Sequence, residues 1–517
     1  MTISFGELGD HRLGGPGTVE EAGDERPLAV DTFGGRVHVE WDPEAAVTPL
    51  GQLAFFVDFL KQGGLFDPLV SDCPLELTSP NAPAKRDVVG TLVLSILAGH
   101  RRYAHITCLR SDGVSPGLLG MKRIVSEDAV RRHLSKIDES RGIAWLQGHL
   151  DYVVRPLLRE PWILDVDTTI KPLYGHQEGA VVSYNPKKPG RPSHAYHSYM
   201  MAGSRLVLDV AVEPGNAHTS KHASPSLWAL LARLGREHWP KLLRGDAGWS
   251  SEANMSRAER EDLPYLFRLR MTAKVKRLAA ELTGEGAWVD AGKGWGAREA
   301  ELRLSGWSRQ RRVVVLRRRL KEPLAVLAGE GGDGQLLLGF AEVTAGGELY
   351  EYAVLVTSLA ADLEIFGQLY RNRGDAENHF DEIKNHWGWG GFTTQDLARC
   401  RLLARAVALV YDWWSLYARL IDPEHHTEAI TSRPLLLHAV ARQVRHGKQT
   451  HLKITSSHAD APAVRHRLAQ AVGFLQSLTE TAEQLSDLEK WCRILSRALI
   501  KYLHGRVIRP PPGYLPA

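Results

Sequence analysis

The chain has 517 residues, enough for two to four domains, and its 44% hydrophobic and 24% charged content is that of an ordinary globular protein. A formal net charge of only +4 excludes a globally polybasic chain, so any surface for a polyanion must be a local patch. Cys73, Cys108, Cys400 and Cys492 are scattered with no CxxC pair, which points to a reducing compartment and to neither a disulfide framework nor a zinc site. The opening MTISFGELGDHRLGGPG has no charged-then-apolar signal pattern, and no apolar run reaches membrane-spanning length. A cytoplasmic protein with no membrane partner is expected.

Residues 1–44 read as a loose segment, its first thirty or so rich in Gly, Glu and Asp. TPLGQLAFFVDFLKQGG predicts a helix with Thr48 as N-cap, Pro49 at its first position and Gly63–Gly64 closing it. DVVGTLVLSILAGH and SEDAVRRHLSKID, the latter capped by Ser126, continue the helical pattern, so 45–150 is expected to be a helical N-terminal domain. PWILDVDTTI is an apolar run of strand length that puts Asp165 and Asp167 on one face. AYHSYMM and RLVLDVAVEPG, joined by AGS, read as a hairpin, followed by the helix SPSLWALLARLGREHW. KLLRGDAGW is a strand ending at Asp246, SSEANMSRAERED a helix and YLFRLR a further strand. Strand, strand, strand, helix, strand, helix, strand is the layout of a ribonuclease-H-like α/β domain, with one acid in the first strand and a second where the fourth ends. Its first part would span 151–271. Residues 272–357 read as a β-rich insertion, 358–395 as a helix completing the core, and 396–517 as a helical C-terminal region.

The helix at 370–384, YRNRGDAENHFDEIK, carries a tyrosine, two arginines, four carboxylates and a lysine, with no apolar stripe evident. At about 100° per residue, Tyr370, Arg373, Glu377 and Lys384 project at roughly 0°, −60°, −20° and −40°, one narrow stripe. A carboxylate flanked by Arg and Lys suits a site that holds a metal ion and a polyanion together. Phosphoryl transfer on DNA by two Mg²⁺ ions ~3.5–4 Å apart needs hard oxygen ligands from separate elements. Asp167, Asp246 and Glu377 would be those ligands and the catalytic residues. Arg373 and Lys384 would hold non-reacting phosphates, and Tyr370 could hydrogen-bond one. Bland readings stand beside these. Asp165 is a polar neighbour or an alternative ligand, and Asp246 could simply cap a turn. Asp375, Asp381 and Glu382 read as solvated faces or partners of Arg371 and Arg373, and His194 and His197 as structural or exposed.

Residues 303–321 hold eight basic residues and no acid around Trp307. Arg311, Arg312 and Trp307 would suit a surface where DNA ends are gripped and an extruded base stacks, with Trp288 and Trp295 as other stacking residues. The alternative is a solvated edge strand that uses arginines against aggregation. In SEDAVRRHLSKID, Val130 and Leu134 require one face to pack, turning Arg131 and Arg132 to solvent or to DNA.

The spacing Tyr370-x2-Arg373-x3-Glu377-x6-Lys384 resembles the Y-R-E-K signature of the IS4-superfamily DDE transposases. DVDTT, YNPKKPGRPSHAYHSYMMAG, EPGNAHTS, RGDAGW and TSRPLLL resemble the IS1380 branch in particular, over roughly residues 45–505. The resemblance implies Mg²⁺-dependent (Mn²⁺ as substitute) cut-and-paste transposition of an insertion sequence. It also implies binding of terminal inverted repeats and target DNA as a homo-oligomer, a dimer, nucleoid-associated when on DNA. A stacking Trp would further imply a hairpin intermediate on the transposon end. One departure is Ala247, where some relatives place arginine after the second aspartate. Other classes fit less of the chain. ILDVDTTI also matches the first motif of haloacid-dehalogenase phosphatases, but Ser250 stands where their later GDxxxD motif needs an acid. A domesticated DNA-binding protein that is no longer catalytic has no need of all three acids, which are present, and a stand-alone nuclease on the same scaffold leaves the helical flanks and the insertion without a purpose.

Overall fold

The computed structural model describes residues 27–183, 188–217, 224–283, 286–320, 340–343, 349–389, 391–392, 394–481 and 484–510. Among the described residues, 27–45 belong to a unit separate from the rest of the chain. Within the segment expected to be loose, β1 (Leu28–Thr32) and β2 (Gly35–Val39) pair as an antiparallel hairpin, exposed along both strands. Parts of the expected YNPKKPG, EPGNAHTS and QLLLGFAEV stretches lie outside the described residues.

The larger unit opens with β3 (Val47–Thr48), followed by α1 (Leu53–Gln62), α2 (Phe66–Asp72), α3 (Lys85–Leu97), α4 (Ser115–Leu118), α5 (Glu127–Leu134) and α6 (Glu139–Val154). The middle supplies β4 (Ile163–Pro172), β5 (Val181–Val182), β6 (Pro192–Met201), β7 (Leu206–Pro214), α7 (Ser224–Leu234), β8 (Leu242–Gly245), α8 (Glu252–Arg260) and β9 (Tyr265–Arg268). Next come α9 (Ala273–Thr283), β10 (Val289–Asp290), β11 (Trp295–Leu302), β12 (Arg311–Arg319), β13 (Phe340–Val343) and β14 (Leu349–Thr357). The chain continues through α10 (Leu363–Arg371), α11 (Gly374–His386), α12 (Leu397–Ile421), α13 (Ala429–Leu436), β15 (Val440–His446), β16 (Gln449–Thr455), α14 (Ala461–Ser477) and α15 (Asp487–Ala498).

Caps set several helix starts. Ser126 Oγ accepts from the Ala129 N–H at 3.3 Å, as its position before α5 predicts. Ser486 and Glu489 close a reciprocal capping box on α15. The expected cap at Thr48 is not formed. Its hydroxyl bonds Asp112 at 2.7 Å and accepts from the Leu50 N–H inside a buried turn, so α1 starts only at Leu53.

Beta4 lies inside a sheet of 11 strands among the described residues, parallel to β8 and antiparallel to β6; β8 is parallel to β9, and β7 pairs with the far side of β6. The segment expected as an insertion prolongs this sheet, because β14 pairs with β9 and β12 with β14. Alternation explains why the run in β12 is apolar without a break. Val313 and Val315 face the larger core, while Val314 and Leu316 face a second core under Phe366 of α10. With β11 and β14 on either side, β12 is no edge strand.

Alpha12 is buried on nearly every side, as an all-round apolar helix must be. Its Trp414 and Tyr417 meet Phe56 of α1 at 5.5 and 5.2 Å between ring centroids, and Trp491 of α15 lies 6.0 Å from Phe59. The N- and C-terminal helices therefore share one core. The C-terminal region expected to be helical also contains the β15–β16 hairpin, which pairs with β3.

Candidate active site

Pleating puts Asp165 and Asp167 on the same side of β4, yet their surroundings differ. Asp165 is buried and spends both oxygens on Arg244 of β8, at 2.6 and 2.7 Å, while Arg244 Nη1 donates to the Leu369 carbonyl of α10 at 2.7 Å. Asp165 is thus a structural partner. The Asp167 side chain is 20% exposed and accepts from the adjacent Thr168 N–H at 2.7 Å; its oxygen lies 3.7 Å from Arg373 Nη2.

Asp246 follows the last residue of β8. Its Oδ1 accepts from the Gly248 N–H at 3.0 Å, so it caps a turn and also belongs to the site. Gly245 allows the end of β8 to sit close to β4, since a Cβ there would meet Val166 at 2.9 Å and Trp249 at 3.0 Å. Glu377 on α11 accepts from Arg373 Nη1 at 3.0 Å. Burial, reinforced by the negative charges of Asp246 and Glu377, pushes the Asp167 carboxyl up to about 7 against the opposing pull of Arg373. Burial disfavours the charged Arg373, but Asp167, Asp246, Glu377 and Asp165 together hold its pKa above the usual value. Three carboxylates from three elements thus converge on one guanidinium.

The single helical stripe expected at 370–384 is divided. Alpha10 ends at Arg371 and α11 begins at Gly374, with Arg373 as its N-cap. Tyr370 falls on the first helix, packing edge-on against Trp295 at 5.7 Å, and burial raises its phenol pKa. Alpha11 also has a packing face that the sequence reading missed: Ala376, Phe380, Ile383 and Trp387 are buried. Asp381 is exposed and accepts from Asn385, but Glu382, expected on a solvated face, is buried. It accepts from the Ala429 N–H at 3.0 Å and pairs with His426 at 3.1 Å. Lys384 is partly buried.

The residues expected to grip DNA on the insertion are committed elsewhere. Arg311 is buried, bonded to Glu252 at 2.6 Å and Glu259 at 2.7 Å, both on α8. Arg312 binds Glu299 at 2.8 Å and the Leu359 and Ala361 carbonyls. Trp307 and Trp295 are each only 7% exposed, and Trp288 packs under Arg317 at 4.0 Å. His194 and His197 are fully buried; His197 Nδ1 bonds Thr168 Oγ1 at 2.8 Å and so steadies the backbone beside Asp167. Sequence reasoning set His197 aside as structural or exposed, and it passed over Arg244, a basic residue within β8. A basic residue inside the apolar strand LLRG is the signal that would have found the latter.

The donor chemistry fits a divalent cation, because Asp167, Asp246 and Glu377 offer hard oxygens in surplus negative charge. As the side chains stand, among the described residues no three His, Cys, Asp or Glu groups are gathered closely enough to chelate one, and Arg373 neutralises Asp167 and Glu377 instead. No helix among the described residues is long and apolar enough to cross a membrane.

No curated protein matches the chain. Among solved structures, the cryo-EM structure of a piggyBac transposase synaptic complex with hairpin DNA is similar over 90% of this chain and 87% of that one, at 11% identity and a TM-score of 0.36. The family model described as transposase DDE domain, group 1, matches residues 83–476, a span that takes in Asp167, Asp246 and Glu377 with β4, β8 and α11. This is a DNA-cleaving and strand-transferring enzyme, a member of the group 1 DDE-domain transposases.

Proposed function

We propose that the chain is the transposase of an insertion sequence, of the IS1380 branch of the IS4 superfamily, performing cut-and-paste transposition at terminal inverted repeats. The observation that carries the reading is the convergence of Asp167, Asp246 and Glu377 around Arg373. The order β7-β6-β4-β8-β9, with β8 and β9 parallel to β4 and β6 antiparallel to it, supports a ribonuclease-H-like core over 151–271 and 358–395, with 272–357 as the insertion that widens its sheet.

Asp167, Asp246 and Glu377 would hold Mg²⁺, with two ions in the full site and Mn²⁺ as a substitute. Bound there, the metal supplies Lewis-acid charge to the attacking and leaving oxygens. Asp167 and Glu377 must turn from Arg373 to serve as ligands, which frees its guanidinium for a non-reacting phosphate. Lys384, further along α11, is a second phosphate contact, and the Tyr370 hydroxyl a third. The Asp165–Arg244 fork fixes β4 against β8 and ties both to the end of α10, so the three acids are held in register. The partners are the transposon ends and target DNA, taken by a homodimer that brings two ends together.

The test is cleavage of a duplex carrying the terminal repeats in Mg²⁺. Asp167→Asn, Asp246→Asn and Glu377→Gln should each abolish cleavage while leaving DNA binding largely intact, since each removes a ligand charge at constant volume. Wild-type cleavage by any of the three would remove that residue from the site.

A further inference from the structure

A cleft of about 440 Å³ lies between the segment 77–83 and α5, outside the catalytic site. Arg110, Arg123, Arg132 and Lys136 line it, and none of its lining residues is acidic. All four are exposed, and among the described residues none forms an ion pair; Arg132 reaches only the Asp128 carbonyl, at 3.4 Å. Neighbouring arginines behave otherwise, Arg86 pairing with Asp67 and Arg141 with Glu76. Four clustered cations without a carboxylate repel one another and favour an anion.

Contacts link this surface to the strand of Asp167. Arg131, also on α5, sits over the Tyr103 ring at 5.4 Å, and Tyr103 meets Phe392 edge-on at 5.5 Å. Phe392 N–H donates to the Arg101 carbonyl at 2.6 Å, and the preceding Gly391 carbonyl accepts from Lys171 of β4 at 2.9 Å. Charges spread along an open cleft suit a run of phosphates better than one small anion.

We propose that this cleft is a second DNA contact, gripping the phosphodiester backbone of a duplex whose reacting phosphate lies at Asp167. The proposal rests on the transposase reading, and the experiment separates the two. Binding of a random-sequence duplex to the full chain is followed by fluorescence anisotropy between 50 and 200 mM salt, for wild type and for Arg110→Ala/Arg123→Ala/Lys136→Ala. Because all three positions are exposed, the variant should fold, which its thermal melt verifies. Loss of three phosphate contacts should make the slope of log K against log salt shallower by about 2.7, at about 0.9 per phosphate. Affinity at low salt should fall at least tenfold. Wild-type slope and affinity in the triple variant would overturn the cleft and leave the transposase reading standing. Failure of the wild type to bind any duplex would overturn both. Stronger competition by double-stranded RNA than by DNA would also overturn the assignment of the cleft to DNA.

Discussion

Asp165 and Asp167 stand two residues apart on one strand face, yet removing each carboxylate should have opposite consequences. Asp165→Ala leaves the Arg244 guanidinium buried, with only the Leu369 carbonyl to accept from it. Breaking one side of such a buried pair costs about 3–5 kcal/mol, because the remaining charge stays desolvated. Replacing both partners with apolar side chains, Asp165→Leu with Arg244→Met, should restore most of that loss, since no charge is then left in the interior. Asp167→Asn removes a charge that burial, Asp246 and Glu377 already disfavour, so it should leave the metal-free fold at least as stable as wild type. Urea unfolding followed by tryptophan fluorescence, paired with cleavage of transposon-end DNA, separates the two acids. The reasoning fails if Asp165→Ala unfolds within about 1 kcal/mol of wild type, the value of an exposed pair. It fails equally if Asp167→Asn cleaves while Asp165→Asn does not.

Arg373→Ala should weaken binding to duplex ends and make the salt slope shallower by about 0.9, one phosphate's worth; an unchanged slope would confine Arg373 to neutralising Asp167 and Glu377. Trp307→Ala should cost about 3–5 kcal/mol of stability, as for other buried aromatics, with no loss of DNA affinity in the folded fraction. A selective loss of DNA binding at wild-type stability would return Trp307 to a stacking role. Asp412, fully buried in α12, has its carboxyl held well above the usual range by burial, so the folded state keeps a proton that the unfolded state releases above about pH 4. Stability attributable to that proton is complete below pH 4 and is lost as pH rises towards the folded value. Asp412→Asn should therefore stabilise the protein at pH 8, and the gain should shrink towards pH 4; equal gains at both would refute the assignment.

The strand bearing Asp167 and the one that ends just before Asp246 are legible because short apolar runs bounded by turn residues mark strands whatever their partners. The partners themselves are not. That β14 joins β9 depends on which edge is free in three dimensions, and no local pattern encodes it. Arg311 looked available because its own stretch has no acid, whereas Glu252 and Glu259 reach it from α8, about fifty residues earlier in the chain. The break between α10 and α11 carries no proline, and Asn372 and Arg373 both keep helical dihedrals, so the stripe looked continuous. Residues 45–150 showed a helical pattern, but nothing in them revealed that Phe56 and Phe59 pack on rings from α12 and α15.

The buried carboxylates of Asp151 and Asp209 are closely matched by arginines. Asp209 binds both Arg405 and Arg233, and Asp151 takes two bonds from Arg233. Those pairs place charge in a low-dielectric interior without excess of either sign. The site around Asp167 departs from that rule, with three carboxylates set against one guanidinium that touches only two of them closely. Such an excess weakens the fold, and the extensive aromatic core under α12 offsets it. It also repels DNA, itself a polyanion. A negative site can act on a negative substrate only if cations are shared between them, so the same imbalance that costs stability creates the demand for a divalent ion when the phosphate arrives.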